Sequence, residues 1–171
     1  VMMKNILLLS FIGLLATVAC SHQGKTPKTE NTAAAGASDS YLTMKINGKD
    51  WVAEEDITGN LGLMGPGQFG LGGVKIVNGE EQHLSIAIQN VNGPGTYQTI
   101  AEQVYNVAQY AVSQQSNGDV KIFKSQKDGQ FTIKITKVDG FNTEGTFSGT
   151  LPGWLGTTES VVITEGKFRT E

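Results

Sequence analysis

Two stretches of strict alternation constrain this chain more than anything else in it. Leu84, Ile86 and Ile88 alternate with His83, Ser85, Ala87 and Gln89, and Phe131, Ile133 and Ile135 alternate with Thr132, Lys134 and Thr136. A period of two puts one set on a buried face and the other on an outer face, which is a strand with one side against a core. Asn47-Gly48, Asn78-Gly79, Asn117-Gly118 and Asp139-Gly140 stand between apolar runs. Each supplies the positive φ that type I′ hairpins require. The spacing predicts strands near residues 41–46, 50–53, 68–77, 81–89, 96–100, 107–113, 119–124, 129–138, 142–150 and 159–169. Hairpins at this spacing predict an all-β, single-domain antiparallel β-sandwich, with a small closed lipocalin-like barrel as the alternative. One segment admits a short helix as well as a strand, because Val104, Val107, Ala108 and Ala111 recur at helical spacing.

Glycine placement adds detail to the last strands. Gly145, Phe147, Gly149 and Leu151 share one face, so two glycines flank a buried ring and leave room for a neighbouring backbone or aromatic. Gly166, between Glu165 and Lys167, suits a bulge that lets the final strand bend.

The N-terminal segment has a different character. Lys4 precedes an apolar run from Ile6 to Ala19, about fourteen residues, a secretory length and short of the roughly 20 that a bilayer-spanning helix needs. Ala16-Thr17-Val18-Ala19-Cys20 resembles the lipobox of bacterial lipoproteins, with Thr17 where Leu is usual. The resemblance implies cleavage before Cys20, a diacylglycerol on its sulfur and acylation of the new amino group. Two or three chains anchor stably because each buried methylene contributes about 0.8 kcal/mol. A plain secretory signal with an incidental cysteine is the competing reading. Residues 21–40 contain no aromatic, Leu, Ile or Val and read as a flexible tether with a reach of about 25 Å. The expected organisation is therefore a signal peptide at 1–19, a lipidated Cys20 and tether at 20–40, and a β domain at 41–171.

Composition then excludes several classes of function. The net charge of −3 and the absence of a basic cluster offer nothing to a phosphate backbone, so nucleic acid is not an expected partner. One Cys cannot form an internal disulfide, and His22 and His83 are too far apart for a Cys/His zinc site. No metal or cofactor is expected. Gly65-Pro66-Gly67-Gln68-Phe69-Gly70 matches the letters of a dinucleotide fingerprint but lacks the helix that must follow it, and reads as a hairpin loop. Asp50, Glu54, Glu55 and Asp56 form the densest acidic group and read as a solvated turn, since the calcium-loop pattern is missing. His83 falls on the polar side of its strand with no nucleophile motif nearby in sequence, so no catalytic residues are assigned.

Aromatic residues are the remaining handles for recognition. Trp51 is expected in the core. Trp154, within Leu151-Pro152-Gly153-Trp154-Leu155-Gly156, is placed in a loop where its ring is either folded back or displayed, and Tyr97, Tyr105 and Tyr110 extend the surface if it is displayed. The pieces MKINGKDW (Met44 to Trp51), GPGTYQ (Gly93 to Gln98), ITKVDGFNTEGTFSGTL (Ile135 to Leu151) and ITEGKF (Ile163 to Phe168) are similar to an uncharacterised family of Bacteroidota lipoproteins. What that similarity implies is a lipid-anchored, all-β envelope protein with no catalytic residues to carry over. Ser21, His22, Gln23, Gly24 and Lys25 lack the acidic residues that accompany surface export in such lipoproteins, which favours an outer-membrane anchor facing the periplasm. The expected activity is non-catalytic binding or scaffolding, with a protein, peptide or glycan as ligand. The alternative is a lipocalin-like carrier of a small apolar ligand, its barrel mouth covered by residues 101–111.

Overall fold

Alternation becomes strand pairing over nearly the whole domain. The computed structural model describes residues 39–62, 65–100, 106–114, 116, 118–127 and 130–171; the signal, Cys20, His22, the tether up to residue 38, Tyr105 and Asn117 lie outside the described residues. Eleven strands follow in order: β1 (Tyr41–Ile46), β2 (Lys49–Val52), β3 (Glu55–Leu61), β4 (Phe69–Val77), β5 (Glu80–Ile88), β6 (Gly95–Gln98), β7 (Val107–Gln114), β8 (Val120–Lys124), β9 (Phe131–Asp139), β10 (Asn142–Trp154) and β11 (Ser160–Thr170). Every pairing is antiparallel, in the order β2-β1-β11-β10-β8-β7-β5-β4-β3, with β9 on the same edge of β10 as β8, along its earlier residues, and β6 beyond β9.

The sandwich is thus one sheet folded over on itself into a half-barrel. β10 is the hinge between its two limbs: residues 142–149 pair with β9 and residues 153–154 with β8. One limb holds β6, β9, β10, β11, β1 and β2, and the other holds β8, β7, β5, β4 and β3. Phe69 of β4 meets Phe168 of β11 at 5.6 Å between ring centroids, and Phe168 meets Phe147 at 6.4 Å. Phe147 in turn stacks on Phe131 at 5.9 Å. Burial of these four rings between the limbs contributes about 1.5–3 kcal/mol each, alongside aliphatic side chains such as Leu42, Leu84, Ile86, Ile133 and Ile163. β2 and β3 stand at the two ends of the ladder, so hydrogen bonding does not close it into a barrel. A polar seam joins the limbs instead. The buried Thr170 hydroxyl donates to the Gly59 carbonyl at 2.6 Å and lies 2.7 Å from the Thr143 hydroxyl. Buried hydroxyls placed this way are satisfied rather than costly.

The glycine-flanked ring is confirmed. A Cβ on Gly145 would fall 2.6 Å from Cε1 of Phe168, and one on Gly149 2.7 Å from the Phe131 backbone, so only glycine admits these neighbours. The final strand also bulges where expected. Pairing with β1 steps from Thr43↔Lys167 to Lys45↔Thr164, and pairing with β10 from Phe147↔Gly166 to Gly149↔Ile163, which leaves one extra residue on β11. The left-handed residue is Glu165, with φ 53°, rather than Gly166.

The segment that admitted either element is strand from Val107 on, as expected for 107–113, because Ala108 and Tyr110 turn inward at period two and burial outweighs the weaker helical spacing. Three expectations need correction. The acidic stretch holds a strand, β3, with a bulge at Asp56 (φ 53°) that takes up the register shift; charge alone suggested a turn. Pro152-Gly153-Trp154 continues β10 instead of forming a loop, and the turn follows at Leu155-Gly156. Asn47-Gly48 and Asn78-Gly79 have positive φ at both positions, as type I′ requires. At Asp139-Gly140, however, Asp139 pairs with Asn142, so the two-residue loop is Gly140-Phe141, and Gly140 leads it at φ 62°. Glycine at the first loop position is the type II′ arrangement.

Candidate functional site

Directly opposed residues on neighbouring strands point to the same side of a sheet, so register defines what each limb shows to solvent. Across β4, β5, β7, β8 and the end of β10, one outward row reads Val74–His83–Ala111–Ile122–Trp154. The other rows on the same face read Ile76–Glu81–Ser113–Val120, Gly72–Ser85–Gln109–Lys124 and Gly70–Ala87–Val107. Val74, His83, Ala111 and Ile122 are half-buried, while Trp154 is 39% and Val120 55% exposed. Apolar residues thus run along the Val74–Trp154 row on either side of His83, with the polar Glu81 and Ser113 in the row on one side and Ser85, Gln109 and Lys124 in the row on the other.

Trp154 closes the long row. Lys124 Nζ lies 4.8 Å from its ring centroid, an exposed cation–π contact of about 0.5–1 kcal/mol. Leu155, next in sequence, is exposed in the turn with φ 50°. The ring is thus displayed on a strand, fixed in orientation by the sheet and by Lys124, with its apolar body beside Ile122.

Neither Tyr97 nor Tyr110 extends this surface. Tyr110 is 4% exposed and lies in an inward row, Gly73–Leu84–Tyr110–Phe123, stacked on Phe123 at 6.1 Å. Burial pushes its phenol well above the usual range, and the Glu80 carboxylate adds to the shift. Tyr97 is half-buried on β6, in the other limb, and its hydroxyl donates to the Gly93 carbonyl at 2.7 Å. It lines a separate hollow with Asn90, Gln98 and Asn106. Trp51 is buried, as expected. His83 reaches the apolar row rather than a cluster of catalytic groups, and among the described residues no three His, Cys, Asp or Glu side chains could hold a metal ion.

The other limb presents a different chemistry. Its outward rows read Thr96–Lys134–Thr146–Lys167–Thr43 and Gln98–Thr132–Ser148, the latter reaching the β11 bulge, beyond which Thr164 faces Lys45 and Asp50. Lys45 Nζ holds Glu165 at 2.8 Å, and this hydrogen bond and charge raise the lysine's pKa. Glu144 is shared by Arg169 at 3.0 Å and Lys137 at 3.8 Å.

Sequence reading reached Trp154 and missed the remainder of both faces. Ile122 and Val120 of β8, Ala111 of β7 and Val74 of β4 come from three strands, and Lys134, Thr146, Lys167 and Thr43 from four. Alternation gives each strand's outward set, but only the strand order shows which sets adjoin. Comparison with protein-family models, with curated proteins and with solved structures returned no match.

Proposed function

We propose that this protein is a lipid-anchored module of the cell envelope that works by binding, without catalytic chemistry, and that the outer face of the β4-β5-β7-β8 limb recognises its partner. The observation that carries the reading is the continuous row from Val74 to Trp154. Apart from His83, the side chains of this row are small or apolar on the solvent side of a sheet, and an oriented tryptophan edges them; interface centres are likewise poor in charge and rich in aromatics. An open sheet face suits a protein surface better than a small molecule, which takes a concave site.

The anchor rests on the Cys20 lipobox resemblance, and the similarity to Bacteroidota lipoproteins supports an envelope location at the outer membrane, facing the periplasm. The carrier reading draws no comparable support. Between the limbs, the Phe69, Phe168, Phe147 and Phe131 rings occupy the space an apolar ligand would need. The four hollows described lie at the surface.

A photo-crosslinking residue placed at position 122 in cells tests the reading. The expected result is a discrete adduct, lost when Trp154→Ala is added, with none from the same probe at position 52 on the other limb. Equal labelling from 122 and 52, or none from 122, contradicts it. Cys20→Ala is expected to release the protein from membranes with no acyl mass on its N-terminus; continued membrane fractionation overturns the anchor.

A further inference from the structure

The β11 bulge makes a place for a ligand on the second limb. Over it lies a hollow of about 290 Å³ lined by Thr132, Lys134, Thr146, Ser148, Glu165 and Lys167. We propose that this hollow, with the hydroxyl and lysine rows that cross it, binds an acidic sugar unit of a carboxylate-bearing polysaccharide.

Charge points to an anion. The chain carries −3 overall, yet Lys134 and Lys167 flank Thr146 from either side and neither has an ion-pair partner among the described residues. Two strand spacings put these lysines about 10 Å apart. The one carboxylate at the hollow, Glu165, is neutralised by Lys45 at 2.8 Å. A net positive hollow remains on a negative protein, which is the arrangement that attracts a negative ligand.

Hydroxyls point to a sugar. Thr132, Thr146 and Ser148 each offer a rotatable donor and acceptor toward the hollow, and Thr96 and Gln98 continue the same rows to the sheet edge. Such groups match the alternating donors and acceptors of a polyol. The cations are ammonium point charges, whereas the guanidinium of Arg169, whose fork suits phosphate, is engaged by Glu144. The volume is at the lower end of ligand sites and fits one unit of a longer chain, whose neighbours would lie along the Thr and Lys rows.

The backbone points to a retained shape. Glu165 holds a left-handed φ of 53° that glycine or asparagine would adopt at lower cost. Strain at a non-glycine residue persists where surrounding structure fixes it and concentrates at functional positions. Here the strained residue sits at the floor of the hollow, and its side chain is tied down by Lys45.

This surface lies on the opposite limb from the Trp154 row, so its success or failure is independent of the function proposed above. The test is titration of the full chain with polygalacturonate oligomers, using dextran and anionic phospholipid vesicles as comparison ligands. Saturable binding of the acidic oligomers that weakens with added salt is expected, along with a loss of at least tenfold in Lys134→Gln/Lys167→Gln. Thr146→Val, which keeps both charges, is expected to lose affinity as well, while Lys49→Gln/Lys127→Gln retains it. Circular dichroism of each variant confirms the fold. No binding, equal binding of dextran, equal or tighter binding of vesicles, or unchanged affinity in Lys134→Gln/Lys167→Gln each overturns the proposal.

Discussion

The two limbs of the sheet share one interior and differ in what they turn outward. Inside, both follow the same rule: Leu84, Ile86 and Ile88 on one side and Phe131, Ile133 and Ile135 on the other are almost wholly buried. Outside, one limb carries a row of Val, Ala and Ile with a tryptophan at its edge, between rows that include Glu81, Gln109 and Lys124, and the other carries mainly Thr, Ser and Lys, with Val52 and Val162 exposed among them. Since burial dictates only alternate positions, the outward set is free to vary without loss of the fold. Folding therefore accounts for the inner rows and leaves the outer ones to be explained by what each face meets.

The sharpest way to break that contrast is to attack what the limbs hold in common. Phe168 is fully buried and bridges Phe69 and Phe147. Phe168→Ala is expected to cost about 3–5 kcal/mol in chemical denaturation and to impair both faces together. A variant that abolishes one face at full stability while sparing the other would not fit a shared core.

A smaller effect separates the two aromatic side chains that sequence reading joined. The folded Tyr110 phenol titrates above its usual 10.0, so the folded state holds its proton where the unfolded chain releases it. Stability is full below pH 10 and falls as pH rises beyond it, by at most about 1.4 kcal/mol per pH unit from this group. Lys45, also raised from 10.5, adds loss of the same sign above that pH. Tyr110→Phe is expected to give a shallower decline between pH 10 and 11 in urea midpoints; an unchanged slope would mean the phenol is solvated.

The smallest stability change belongs to Trp154, half out in solvent on the apolar face. Trp154→Ala is expected to shift unfolding by no more than about 1 kcal/mol, mostly the contact with Lys124, while removing the crosslink from position 122. A loss comparable to that of Phe168→Ala would place the ring in the core and remove it from recognition.

How much of this was legible beforehand follows from the range of each signal. Alternation and Asn-Gly turns act over two to four residues, and they located ten of the eleven strands, the glycine-flanked Phe147 and the β11 bulge. β3 was hidden because Asp56 breaks the alternation with a bulge, and its acids looked like a turn. Trp154 was legible as a candidate, with folding back and display both open, but was misplaced in a loop, since Pro152 and Gly153 mask a strand that β11 and β8 hold in place. Tyr110 resembled a surface group because its hydroxyl is polar, whereas pairing with Leu84 and Phe123 turns it inward. The two faces depend on strand order across most of the chain, which no local pattern encodes.

Hydroxyl-radical footprinting of the chain in isolated envelopes, set against the purified protein, tests the central claim most directly. If the apolar face engages a partner, Trp154, Ile122 and Val120 lose reactivity in the envelope while the exposed Phe141, at the far turn of β10, keeps its own. Equal reactivity of Trp154, Ile122 and Val120 in both samples would contradict the claim.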